Sequence, residues 1–435
     1  MKKLGIERRR FPYPYRAMLA LCSDLDSTVD WEQYWTIASF LNGVEDTPMG
    51  LGLDLEVGNT LYFDQTPGRF CYWGTGALER EYLREMIRGG LVDCIHSFGI
   101  LAETRAAARR SLDDLAEHGC RLEVWIDHSK SVTNFGSLLD GGQGDNISHA
   151  AYHADLTIPF GVHYVCRGRA TSIIGQDVPP SLRGVWTARH PAVSARALAK
   201  EAAKQLLGCL GHRKYALHGY NVLMRPTMLR DGSHVYEFMR CNPHWSGVGG
   251  GANAVDIGES LSPRVLNRLV RRQGFCIFYT HLSRLAEPGP APFRPATVAA
   301  FRRLAEAYQE GQILVTTTRR LLGYARSRRE LLWTARLLAT NLIRIDVQKA
   351  PSAPPIQPAL APSDLEGLTF YVPAGREVQL FVEGRQRSDV RLNPPDHTGR
   401  PSVSLPWPRL RLPDLGPGKL AGHRLARPER LIASD

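Results

Sequence analysis

From Met18 the chain runs through Leu19-Ala20-Leu21-Cys22 without a charge and then breaks into Ser23-Asp24-Leu25-Asp26-Ser27-Thr28. A run this apolar must be covered on both faces, which is the situation of a strand inside a parallel sheet. Strands of that kind carry ligand sites at their carboxyl ends, in open sheets and barrels alike. If extended geometry persists through the polar cluster, Asp24 and Asp26 share one face and Leu25 takes the other. Two carboxylates in one pocket repel unless a proton or a cation stands between them, as in an acid/base pair or a hard-metal site. The same residues would also serve as a strand end whose Asp and Ser cap the next helix, with no chemistry at all.

The chain then repeats the theme. A helix is expected over 31–41 with Asp30 as its N-cap, then a second strand over 50–57 and an aromatic-rich loop over 59–76. Helix 78–88 stops at Gly89-Gly90, strand 91–97 carries His96, helix 103–117 stops at His118-Gly119, and strand 121–126 ends in Asp127-His128. Glycine-rich loops occupy 129–150 and 243–251, with apolar runs at 155–166 and 215–224, a helix at 192–207 and a strand at 234–241 between them. Helix 262–272, a strand from 274 ending in His281, helix 295–310, strand 313–316 and helix 319–329 complete the series. Strands alternating with helices, each strand ending in polar residues, predict an α/β fold built on an incomplete (β/α)7-type barrel. Beyond it, alternation at 368–372 and 378–382 among many prolines predicts a small C-terminal antiparallel β domain. The division is 1–335 for the barrel, 336–408 for the β domain and 409–435 for a mobile Pro/Arg-rich tail.

Composition excludes several classes. The 435 residues carry 54 Lys and Arg against 43 Asp and Glu, a net charge of +11, but the arginines are scattered and not interleaved with aromatics. No nucleic-acid partner is therefore expected. The eight cysteines form no CxxC pair, which favours reduced, buried thiols and a cytoplasmic protein. The basic N-terminus lacks the apolar core of a signal peptide, no later stretch is long enough to span a bilayer, and the oligomeric state is left open.

Strand ends converge in a parallel barrel, so Asp24, Asp26, His96, Asp127, His128 and His281 are the candidate site residues. Two carboxylates with two or three imidazoles suit a divalent metal with an adjacent general acid or base. Any one of the fourteen histidines is more readily explained as a core or surface residue; the joint pattern points to chemistry. His149 and His153 stand at i, i+4, where a helical turn would put both on one face, and His153 abuts Asp155. Gly247 to Ala252 matches the dinucleotide fingerprint only loosely and reads as a loop over the site, and no P-loop or Gly-x-Ser-x-Gly is present. The aromatics of 62–73 suit loop packing better than a sugar platform.

Leu21-Cys22-Ser23-Asp24-Leu25-Asp26, Ile95-His96-Ser97 and Tyr279-Thr280-His281-Leu282 come in the order of the motifs of the polysaccharide deacetylase (NodB-type) superfamily. After His281, the segment from Gln312 to Leu322 is similar to that family's closing strand and helix, and the resemblance covers roughly residues 15 to 330. It implies a seven-stranded incomplete barrel, a carbohydrate substrate, removal of an acyl group from an amino sugar in a glycan or glycan precursor, and a divalent metal such as zinc. Asp24 would act as general base on a metal-bound water, Asp26 and His96 as ligands, and His281 as the acid that protonates the leaving amine. The aspartates, adjacent in the family, are split here by Leu25, and Ile100 stands where a second imidazole follows the first. Asp127-His128-Ser129-Lys130 replaces the family's Arg-x-Pro-Tyr element, and either His128 or His153 would supply the missing ligand. A glycoside hydrolase using two of Asp24, Asp26, Asp127 and Glu237, or a non-catalytic glycan-binding barrel, would fit the same residues.

Overall fold

The computed structural model describes residues 5–128, 131–136, 141–186, 191–243, 252–351, 356 and 359–415. Its central strands are β1 Ala17–Asp24, β2 Gly58–Leu61, β3 Val92–His96, β4 Val124–Ile126, β5 Tyr164–Cys166, β6 His234–Phe238, β7 Phe275–His281 and β8 Ile313–Thr316. The helices around them are α1 Trp31–Asn42, α2 Ala77–Arg88, α3 Arg105–Glu117, α4 Pro191–Cys209, α5 Pro263–Arg272, α6 Pro295–Gln309 and α7 Thr318–Glu330. All eight residues of β1 are buried, as its uncharged composition demands. β1 has β7 along one edge, while its other edge is shared between β8 beside Ala17–Ala20 and β2 beside Cys22–Asp24.

From β2 the parallel pairing passes through β3, β4 and β5 to β6. Two short continuations complete the curl: Arg240–Cys241 pairs with Ala170–Thr171 on one side, and Cys241 with Phe278 of β7 on the other. The link is thin, and the antiparallel strand Met224–Met228 lies on the remaining edge of β6. The result is a mixed α/β fold with a curled, mostly parallel sheet.

Local chemistry explains the helix ends. Asp30 accepts from Gln33 N at 2.9 Å to cap α1. That helix buries Trp31, Tyr34, Ile37, Ala38 and Leu41, the spacing of one helical face. α5 opens on Pro263 and closes where Gln273 turns left-handed at φ 51°.

The expected strand over 50–57 is corrected. Only Gly50–Leu51 pairs, in a two-residue ribbon with Asp46–Thr47, and the sheet strand is β2. Leu53, Asp54 and Leu55 donate backbone bonds to Phe40, Gly43 and Leu41, so the end of α1 takes the hydrogen bonds that a neighbouring strand would have taken. Run 155–166 likewise splits into a short helix, Ala154–Phe160, and β5. The aromatics Tyr62, Phe63, Phe70 and Tyr72 are buried, as packing predicts. All eight cysteines are unpaired, seven of them buried. Among the described residues no helix is long and apolar enough to cross a membrane.

α7 runs directly into the first strand of the β unit, Leu331–Ala339, which pairs antiparallel with Leu342–Lys349. That sheet departs from the expected antiparallel pattern, because Leu342–Val347 pairs parallel with Glu377–Val382. A second small sheet takes its outer strand from the other end of the chain, Glu7–Arg8 beside Thr369–Tyr371. Arg9 ties the junction: its guanidinium meets Asp396 at 2.8 Å and the carbonyls of Phe11, Pro12, Pro14 and Tyr15 at 2.6–2.9 Å. Of the expected mobile tail, 409–415 is docked. Leu415 is buried, Leu410 and Leu412 pack beside it, Leu410 N donates to Glu56, and Arg409 meets Asp54 at 2.5 Å. Residues 416–435 lie outside the described residues, as does most of the expected loop over 243–251.

Candidate active site

β3, β2, β1 and β7 are neighbours in that order, and at their carboxyl ends stand His96, Thr60, Asp24 and His281, with Thr60 opposite Asp24 in register. Asp24 has no exposed surface. Its two oxygens accept from Arg240 Nη1 at 3.1 and 3.2 Å, and its Oδ2 lies 3.7 Å from His96 Nε2 and 3.8 Å from His281 Nε2. Asp26, on the same side as alternation requires, stands 3.5 Å from His281 Nε2 through one oxygen and 3.5 Å from His128 Nε2 through the other. Tyr62, just beyond β2, shares a 2.9 Å hydrogen bond with His128 Nδ1, and the His96 and His128 rings meet edge to face at 4.8 Å.

The electrostatics follow from burial against fixed charge. Burial works to raise the Asp26 carboxyl, but the His128 imidazole beside it and the fields of His281 and His96 outweigh it and hold it below the ordinary range. His96 is held well below its ordinary value, first by burial and then by His128, Arg240 and His281, so its ring is neutral at pH 7 with a lone pair available. Arg240, buried and stacked 3.9 Å over the Tyr279 ring, is the permanent cation of the group. Asp26 Oδ1 and His281 Nδ1 are buried with no hydrogen-bond partner among the described residues.

Two expected site residues sit elsewhere. His153 is not a ligand candidate in this fold. Its Nε2 meets Thr133 O at 2.7 Å, its Nδ1 meets Thr157 Oγ1 at 2.8 Å, and Phe98, Trp125 and Phe135 enclose the ring. Burial brings its pKa down to about 4, making it a neutral core histidine. The helical face proposed for His149 and His153 does not form, because the helix begins only at Ala154.

Asp127 accepts through Oδ1 from Trp125 Nε1 and Phe135 N at 2.8 and 2.9 Å, and its Oδ2 is buried with no hydrogen-bond partner among the described residues. Burial pushes its carboxyl up to about 6. Glu237 is buried beneath Arg167 and Arg169, both at 3.1 Å, with Arg225 at 3.6 Å. Sequence reasoning missed Arg240, Tyr62 and Tyr279. For Arg240 the available signal was a lone cation in the mostly apolar run Val235 to Cys241, three residues after Glu237.

Carboxylate and imidazole are the donors a divalent ion such as zinc takes. With bonds of about 2.1 Å, tetrahedral geometry sets ligand atoms about 3.4 Å apart, close to the 3.5 Å between Asp26 and His128. The residues thus fit such an ion in kind and in pair spacing. Among the described residues, no three His, Cys, Asp or Glu groups draw together around one point as a finished cage. Compared with models of known protein families and with curated proteins, the sequence matches none.

Proposed function

We propose that the chain is a carbohydrate-active hydrolase of the polysaccharide-deacetylase type, removing an acyl group from an amino sugar in a glycan or glycan precursor. One observation carries the reading: at the carboxyl ends of parallel strands, a buried carboxylate held by a buried guanidinium adjoins a second carboxylate and three imidazoles. The curled parallel sheet supports an incomplete (β/α)7-type barrel, with aspartates, histidine and histidine in the order the resemblance requires. Eight unpaired cysteines favour a reducing, cytoplasmic setting.

In this reading Asp24, oriented by Arg240, takes the proton of the attacking water. His281 gives a proton to the departing nitrogen. Arg240 stays charged throughout and keeps Asp24 in one rotamer, so the base is positioned before substrate arrives. Thr60 Oγ1, 3.4 Å from His96 Nδ1, orients that ring. Asp26 with His96 and His128 would hold a divalent metal such as zinc, which when bound makes water a stronger acid and polarises the acyl carbonyl. Of the carboxylates in the glycosidase alternative, Asp24 and Asp26 are the two that both stand by His281, at 3.8 and 3.5 Å, while Glu237 is held by its arginines.

The test is acetate release from a panel of N-acylated amino sugars and their oligomers, alongside elemental analysis. The parent is expected to release acetate and to carry close to one metal equivalent, which Asp26→Ala loses. Asp24→Asn should retain the metal and lose about 10²–10⁴-fold in rate. New reducing ends without acetate would replace this reading with a glycosidase, and glycan binding without turnover would replace it with a binding barrel.

A further inference from the structure

A cavity of about 660 Å³ opens at the far end of β7, lined by Phe275, the first residue of the strand whose last residue is His281. At about 3.3 Å per residue the two ends stand roughly 20 Å apart, so this cavity is separate from the site described above. Its volume lies within the range of small-molecule sites.

Charge makes it unusual. Arg10, Arg328 and Arg329 line it, with Arg8 behind donating to the carbonyls of Arg328 and Leu331 at 2.6 and 3.2 Å. Against these four guanidiniums stands one carboxylate, Asp177, whose two oxygens are taken by Arg329 at 2.7 Å and one of which also accepts from Leu223 N at 2.8 Å. Among the described residues neither Arg10 nor Arg328 has a carboxylate within ion-pair distance, and the Nε of each is buried without a hydrogen-bond partner. Arg10 is held in place by the carbonyl of Asp177 at 2.7 Å and by the rings of Phe11 and Phe275 at 5.5 and 5.7 Å. Burial, and after it the field of Arg328, lowers the proton affinity of both Arg8 and Arg10. Positive charge gathered here therefore exceeds what the one carboxylate, Asp177, can compensate. The lining also has apolar members, Val222, Phe275 and Ala325, and Tyr220 stands largely exposed among them.

We propose that this cavity binds a small organic phosphate, its phosphoryl oxygens between Arg10 and Arg328 and its ring or acyl part against Phe275 and Val222. A guanidinium fork matches phosphate oxygens two at a time, and a dianion answers the local excess where a single carboxylate would not.

Calorimetric titration at low ionic strength tests it, with inorganic phosphate and phenyl phosphate as the probes. Saturable one-to-one binding is expected for both, about fivefold or more tighter for phenyl phosphate, and about tenfold or more weaker in Arg10→Gln and Arg328→Gln. Absence of saturable binding, equal affinity for the two probes, or unchanged affinity in both variants would overturn the proposal. The melting temperature of ligand-free Arg328→Gln supplies an independent readout. Relief of repulsion should leave it unchanged or raise it, whereas a marked fall would show that Arg328 is a structural tie and overturn the site.

Discussion

Arg240 and Asp24 lie 216 residues apart in sequence, yet each is the other's buried counter-charge. Removing one partner of such a pair leaves a charge in a medium that cannot solvate it, at a cost of about 3–5 kcal/mol. Arg240→Met is expected to lose about that much in urea unfolding, and Asp24→Asn in the same chain should return part of it. A loss below about 1 kcal/mol would mean that Asp24 does not depend on the arginine as its buried partner. The same pair marks what the sequence reveals at this scale. Asp24, His96 and His281 were legible because each terminates an apolar run. Arg240 was not, since a lone cation in a strand shows its purpose only once β6 and its continuation lie against β7. His128 and His153 were equivalent as letters. They part company because the ring of His153 is closed over by Phe98, Trp125 and Phe135, while His128 is left facing Asp26.

Among the elements, α7 is pinned by a carboxylate at its first turn: Asp93 of β3 accepts from Arg319 N at 2.8 Å. Burial nevertheless dominates and pushes the Asp93 carboxyl up to about 7. The folded chain therefore holds this proton after the unfolded chain has released its own near pH 4, and Asp93 costs stability increasingly as pH rises from about 4 to about 7. Asp93→Asn keeps the acceptor without the charge. It should match the parent in denaturant unfolding at pH 4 and exceed it by a few kcal/mol at pH 7.5, a tenfold change in proton affinity being worth about 1.4 kcal/mol. A gap that does not widen with pH would contradict this. Helices and their caps were the most legible elements, because Asp30, Pro263 and the glycine stops act within one turn. The misplaced strand over 50–57 shows the opposite case. Its alternation is real, but the carbonyls at the end of α1 capture its backbone donors, a competition that periodicity does not register.

For the whole molecule, the two ends of the chain are joined in one sheet, and Arg9 is the knot. Its guanidinium serves a carboxylate and four carbonyls at once, so Arg9→Met strips several buried acceptors of their donor. A loss of about 3–5 kcal/mol is expected, read as a fall in unfolding midpoint; a variant as stable as the parent would show that the strand Glu7–Arg8 holds by pairing alone. That short strands follow α7 was legible from the change to alternation and proline after the last helix. That residues 7–8 belong with residues 369–371 was not, because two residues carry no period. Synthesis gives this arrangement a clock. Arg9 and Asp396 are 387 positions apart, and at about 5–20 residues per second the ribosome needs on the order of 20–80 s to supply the second after the first. The strand Glu7–Arg8 thus spends that interval as an unpaired edge, and its sheet can close only after the intervening residues have been translated.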